Sequence, residues 1–275
     1  SSSAASDVYK RQDVYATHGL GPVAQALDIH RGDRMKTLVA MDTKSVVGKS
    51  LVEERTGQPC ENFRNGDHTT TLIRTENGKV IEIQHDVMTP QPYNRLYQLT
   101  GTKGFANKYP IEGYALDAKQ LNASGVAPEV DNLNSHSFMP KKDMEALVQK
   151  YQHPILKKYG EMAKEVGGHG GMDFIMDSRL VYCLQNGLPL DMDVYDLAEW
   201  CCLAELGELS MDNNCAAVAF PDFTRGEWNK VKGYKHAYAS PEDESVAMEK
   251  AKKITAKLKE KGAVEWAGEA VENKK

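Results

Sequence analysis

The sequence predicts an α+β chain: an open, mainly antiparallel β-sheet with helices packed on it. Three observations lead there. Strand-like segments cluster between Thr69 and Leu116, helical ones follow beyond about Asn134, and no Gly-x-Gly-x-x-Gly turn joins a strand to a helix. Grouping of like elements argues against alternating βαβ units, and so against a dinucleotide-binding half within this chain.

The elements follow in order. Val23, Ala26, Leu27 and His30 fall at three–four spacing, with Pro22 suited to a first turn and Gly32 to a stop, which predicts a short helix over 21–30. Met35–Asp42 (MKTLVAMD) reads as a strand, 46–55 as a short helix and 56–68 as a polar loop. Segments 69–75 and 79–87 are β-rich and separated by Glu76-Asn77-Gly78, a strong hairpin signal. Segments 93–100, 105–109 and 112–116 continue an antiparallel meander, with Gly101-Thr102-Lys103-Gly104 as one turn. A helix is predicted over 141–166, which Pro154 must bend or restart, and Gly167-Gly168-His169-Gly170-Gly171 ends it. Helices over 172–185 and 194–215 follow, then a charged one over 241–261.

Three segments result. Residues 1–12 (SSSAASDVYKRQ) have no signal-peptide layout and look like translated adapter sequence, a non-native leader that puts the native chain's start near Asp13. Residues 13–240 form the α+β domain, serving substrate binding and oligomerisation. Residues 241–275 are a charged C-terminal helix and tail.

A net charge of −5 argues against nucleic acid as a partner, because phosphate binding needs a basic face. No apolar run approaches the ~18 residues of a membrane span. Hydrophobic residues at 41% suffice for a sizeable core. The five cysteines (Cys60, Cys183, Cys201, Cys202, Cys215) are scattered without a Cys-x-x-Cys pair, so they predict buried thiols, not zinc ligands or a disulfide framework. No metal site is predicted.

Candidate chemistry begins at Tyr15-Ala16-Thr17-His18-Gly19-Leu20-Gly21-Pro22. A histidine just ahead of a helix can act as an acid–base group, and Tyr15, three residues earlier, can share a ligand with it. The same pattern also fits a capping or loop histidine beside a core tyrosine. His169 lies where glycines let backbone approach a ligand, with Asp173 four residues on; a flexible helix–helix break is the commoner explanation of such a tract. Tyr93 and Tyr97, spaced four apart on a predicted strand, face one side as core aromatics or as a sugar-facing wall. Asp191, Asp193, Asp196 and Glu199 crowd a helix start, where acids are stabilising in any case, and no glycosidase pair stands out among them. His85 and Asp86 end a strand without metal-ligand spacing. Arg31-Gly32-Asp33 is a cell-adhesion tripeptide by letter only and serves as a helix stop without a partner.

The stretch from Tyr15 to Val23, continuing through Arg31-Gly32-Asp33-Arg34, resembles glycoside hydrolase family 109. So do Tyr93-Asn94-Arg95-Leu96-Tyr97-Gln98, Gly101-Thr102-Lys103-Gly104, Gly168-His169-Gly170-Gly171-Met172-Asp173-Phe174 and the run from Pro189 to Asp196. The resemblance runs from about Asp13 to about Trp228. This family, of the glucose–fructose oxidoreductase and inositol dehydrogenase superfamily, is typified by NAD-dependent α-N-acetylgalactosaminidase, and its members are often exported bacterial enzymes. The resemblance implies an N-terminal Rossmann domain that holds NAD and is missing here, followed by the α+β domain. It places substrate contacts on Tyr15, Ala16, Thr17 and His18 and on a later tyrosine, Tyr93 with Tyr97 in reserve, and no cofactor-binding residue in this chain.

The implied reaction needs no carboxylate pair. Oxidation of the sugar at C3 by NAD acidifies the C2 proton, the glycosidic oxygen leaves by elimination, water adds and the hydride returns. His18 and Tyr15 are the implied acid–base residues. Taken alone, the 275-residue chain is expected neither to bind NAD nor to turn over. Two alternatives stand beside this reading: a sugar dehydrogenase of the same superfamily, and an oligomerisation domain whose open sheet packs against another copy.

Overall fold

A computed structural model describes residues 10, 11, 13–117, 119, 120, 136–185, 187, 190–232, 253 and 256. Most of the predicted charged helix over 241–261, and most of the leader, lie outside the described residues. The fold is α+β, with two open antiparallel sheets distributed over two compact units. One comprises Ser1–Tyr93 with Met192–Tyr234, the other Asn94–Asp191 with Lys235–Lys275.

In the first unit, helix α1 (Ala16–Ala26) precedes strand β1 (Met35–Asp42), helix α2 (Val47–Thr56), and the hairpin β2 (Thr69–Thr75) and β3 (Val80–His85). The sheet order is β3-β2-β1 with the two-residue strand Val218–Ala219 at the far edge. Period-two patterning sends Leu38, Ala40, Ile73, Ile81 and Ile83 to one face. There they meet Ala16, Leu20 and Ala24 of α1 and Leu203 and Met211 of the helix Val194–Asp212. That helix is fastened to β1 by Ser210, whose Oγ accepts the Ala40 N–H at 3.0 Å and donates to the Ala216 carbonyl at 2.7 Å.

Helix α1 starts earlier than its spacing predicts. Ala16, Leu20 and Ala24 form one buried stripe, so Pro22 falls inside the helix with no N–H to offer the His18 carbonyl. Burial of that stripe outweighs the lost bond. Gly21 allows close packing: a Cβ there would stand 3.3 Å from the Trp200 ring.

In the second unit, β4 (Gln98–Gly101), β5 (Gly104–Asn107) and β6 (Gly113–Leu116) form a three-stranded sheet in sequence order. The meander expected as one continuous run is therefore divided between two sheets. Pro154 restarts the helix as predicted, giving α3 (Lys141–Tyr151) and α4 (Pro154–Val166), followed by α5 (Met172–Gln185). The glycine tract between α4 and α5 has two structural reasons. Gly171 has φ +99 and sits where a Cβ would lie 2.7 Å from the Ala163 carbonyl carbon, and Gly168 has φ +75. The last long helix, α6 (Val194–Asp212), belongs to the first unit.

Candidate functional site

The site-bearing end of the first unit is where β1 ends, β2 begins and β3 ends, in register at Asp42, Thr69 and His85. The chain enters α1 at this end. Lys10 and Arg11, assigned to the leader by the sequence reading, are ion-paired here: Arg11 makes a two-pronged pair with buried Asp42, both bonds 2.8 Å, and Lys10 meets Glu205 and Glu208. Asp13 follows, buried, its Oδ1 accepting the Tyr15 N–H at 3.3 Å.

Tyr15 is the N-cap of α1 and His18 lies in its first turn. Their rings stack with centroids 4.1 Å apart and planes inclined by 17°. Tyr15 Oη and His18 Nε2 are 3.1 Å apart, and both side chains reach solvent. Spacing alone left His18 between a catalytic and a capping role. The structure brings it onto Tyr15, with no side-chain cap on the helix. Thr17 is exposed beside them and Ala16 faces the core.

The two later tyrosines correct the prediction. The strand begins at Gln98, so Tyr93 and Tyr97 lie in irregular chain ahead of it and the alternation argument for a shared face fails. Tyr93 closes the first unit and is 73% exposed. Tyr97 belongs to the second, and burial pushes its hydroxyl above the ordinary phenol range. His169 and Asp173 do meet, Nδ1 and Oδ2 standing 2.8 Å apart, as an exposed pair on the second unit. His85 and Asp86 end β3 as predicted. Asp86 accepts the N–H groups of Met88 and Thr89 and lies 3.5 Å from His68.

A second cluster, unseen in the sequence, is buried behind α1. The chain leaves α1 through Asp28 (φ +58) and His30 (φ +44), left-handed conformations that turn His30 and Arg31 inward onto α6. Arg31 binds both oxygens of Asp196 at 2.9 Å and reaches Asp193 at 3.3 Å. His30 Nδ1 and Glu199 Oε2 are 3.0 Å apart, while Nε2 lies 3.3 Å from Asp193 and 3.5 Å from Asp196 without hydrogen-bond alignment. Burial disfavours a charged His30, but Asp193 and Glu199, with the charge of Asp196, overcome it and raise the imidazole pKa to about 9. Burial also pushes Asp193 up, yet His30 and the helix N–H groups bring it down to about 2. Glu199 is raised, mainly by burial. Asp193 and Asp196 form a reciprocal capping box at the start of α6.

His30, Asp193 and Asp196 have the spacing of a metal-ligand set. Their chemistry does not favour one: the Arg31 guanidinium covers Asp196, and Asp193 Oδ1 already accepts two backbone N–H groups. Protein cations already occupy this donor set. Asp191 belongs to the second unit, where it makes a two-pronged pair with Arg179. Arg31 and Asp33, read as a partnerless helix stop, are in fact tied within the chain; Asp33 accepts the N–H groups of Arg34 and Asn77 and lies 3.2 Å from Lys79 Nζ. A signal for the cluster was present. Asp193, Asp196 and Glu199 recur every third residue at the start of α6, and carboxylates on an inward face demand buried cations.

Comparison with known proteins supplies what geometry does not. A family model described as glycosyl hydrolase 109, C-terminal domain, matches residues 3–230. Glycosyl hydrolase family 109 protein 5 of Phocaeicola vulgatus is 84% identical over 265 residues, covering 96% of this chain and 51% of that relative. Protein 4 of the same organism is 85% identical over 260 residues, covering 94% and 50%. A family 109 protein of Porphyromonas gingivalis is 62% identical over 229 residues, covering 83% and 49%. The chain spans about half the length of the curated relatives it matches.

Proposed function

The chain belongs to glycosyl hydrolase family 109, and from that premise we propose that it is the sugar-facing part of an NAD-dependent hydrolase of α-N-acetylgalactosaminides or related glycosides, with Tyr15 and His18 as its proton-transfer pair. The observation that carries this reading is the stacked, hydrogen-bonded and solvent-facing Tyr15–His18 pair. Two exchangeable groups 3.1 Å apart can pass one proton between them while a sugar hydroxyl bonds to either. Thr17 and Tyr93 are proposed to line the sugar beside them, whereas Ala16, expected there from the sequence, turns its side chain into the core.

The residues of this chain do not fit NAD itself. Among the described residues the sheets are antiparallel and no Gly-x-Gly-x-x-Gly turn occurs. The proposal therefore assigns the cofactor to the part of the relatives that this chain does not span. What falls to this chain is binding the sugar and moving protons at C2 and at the glycosidic oxygen. By itself the 275-residue chain is expected to give no NAD affinity in calorimetry.

The deciding assay uses the protein at the length of its relatives, with NAD, on an aryl α-N-acetylgalactosaminide. Aryl release without net NADH, with C2 hydrogen exchanging from deuterated water, is the expected result. NADH accumulating over an intact glycoside would instead establish the dehydrogenase reading and overturn this one.

One observation favours self-association as a coexisting role. The sheet face turned away from α1 and α6 carries Met41, Leu72 and Val80, all well exposed. Apolar residues on both faces of a sheet suit packing against a second copy. Sedimentation of the chain should show a dimer or larger, and Leu72→Lys should shift it toward monomer; a monomeric unmodified chain would remove this role.

A further inference from the structure

Asp13 is an anomaly in a well-bonded neighbourhood. Its carboxyl is 5% exposed, Oδ1 accepts the Tyr15 N–H, and Oδ2 is buried without a hydrogen-bond partner. Burying a carboxylate with one oxygen unsatisfied is costly.

The entry to α1 is fastened to the sheet end by Arg11, paired with Asp42; two residues on, Asp13 is buried, and two further on stands Tyr15. Tyr15, at the N-cap, gives the helix no side-chain cap, and its backbone is not helical (φ −133, ψ 28). The 3.3 Å bond from its N–H to Asp13 Oδ1 acts on the backbone of the residue that carries the ring. That ring is the platform on which His18 stacks.

We propose that Asp13 is a positioning residue for the Tyr15–His18 pair: its buried carboxyl holds the Tyr15 backbone at the head of α1 and so fixes the stacked arrangement in which Oη meets Nε2. The basic group facing its charge is His85 at the end of β3, which partly offsets the upward push of burial on the carboxyl. The inference rests on the reading of Tyr15 and His18 as the functional pair, but its test needs no turnover.

The test is a ¹H–¹³C spectrum of the 275-residue chain, with the His18 ring assigned through His18→Gln. Stacking on Tyr15 displaces the His18 ring protons upfield, and Tyr15→Ala sets the value for complete loss. Asp13→Ala is expected to lose most of that displacement. Asp13→Asn, which keeps an oxygen for the Tyr15 N–H, is expected to retain it. Three results would overturn the proposal: no displacement in the unmodified chain, a displacement unchanged in Asp13→Ala, or one lost in Asp13→Asn. Where Asp13→Ala does not fold, Asp13→Asn decides alone; failure of that variant to fold also overturns the proposal, since charge and not the bond to Tyr15 would then matter. An enzyme of relative length indifferent to Tyr15→Phe and His18→Gln would sink the functional reading while leaving the spectral result intact, so the two failures are distinguishable.

Discussion

His18, in the first turn of α1, keeps its ring in solvent against Tyr15, whereas His30, just beyond the other end of the helix, is buried among three carboxylates and a guanidinium. Both are histidines beside a hydrogen-bonding partner, and burial separates their roles. A buried imidazolium must be matched by fixed opposite charge, and once matched it locks two elements together. A histidine that exchanges protons with a ligand must stay reachable, so it can rely on only one neighbour. The cluster that looks more like an active site on paper, with its carboxylates and metal-like spacing, is the one that fastens α1 to α6.

Breaking the buried cluster tests this division most severely. Asp196→Ala strands the Arg31 guanidinium and removes the Asp193 N–H acceptor, so it should cost about 3–5 kcal/mol in denaturant unfolding. A loss below ~1 kcal/mol would mean the network is not a fastening.

The next effect is pH dependence. His30 is raised in the folded chain from 6.5 to about 9, so its contribution to stability is complete below 6.5 and disappears as pH rises through about 9. Stability should therefore fall on the alkaline side by up to about 3 kcal/mol, the ceiling set by that difference. His30→Gln should flatten this limb, seen as a denaturation midpoint that no longer drifts between pH 6.5 and 9. A midpoint equally steep in the variant would assign the drift to other groups.

The same comparison explains what was legible in the sequence. Elements with a strong local signal lay where spacing put them: β1 at Met35–Asp42, β2 at Thr69–Thr75, α5 at Met172–Gln185 and the restart at Pro154. The early start of α1 was hidden because burial of Ala16 and Leu20 overrides the preference of Pro22 for a first turn. Tyr93 and Tyr97 fall outside the strand because the ladder with β5 starts at Gln98, with Tyr97 giving it only a carbonyl, which accepts the Lys108 N–H. The Tyr15–His18 pair was readable, since three residues apart at a helix start is a contact distance. The His30–Arg31 cluster joins residues far apart in the chain, and spacing cannot report a partner that only the fold brings near.

The smallest stability effect is expected at the pair proposed to carry the chemistry. Tyr15 and His18 meet in solvent, where a hydrogen bond exchanges with water at little net gain and no buried charge is stranded by its loss. Tyr15→Phe and His18→Gln should therefore each change unfolding stability by no more than about 0.5 kcal/mol, as surface substitutions do. In the relative-length enzyme the same substitutions should lower kcat by about 100-fold or more, the usual scale for removing an acid–base group. A stability loss as large as that of Asp196→Ala would mean that the Tyr15–His18 pair is a second fastening of α1, and the contrast between the two histidines would collapse.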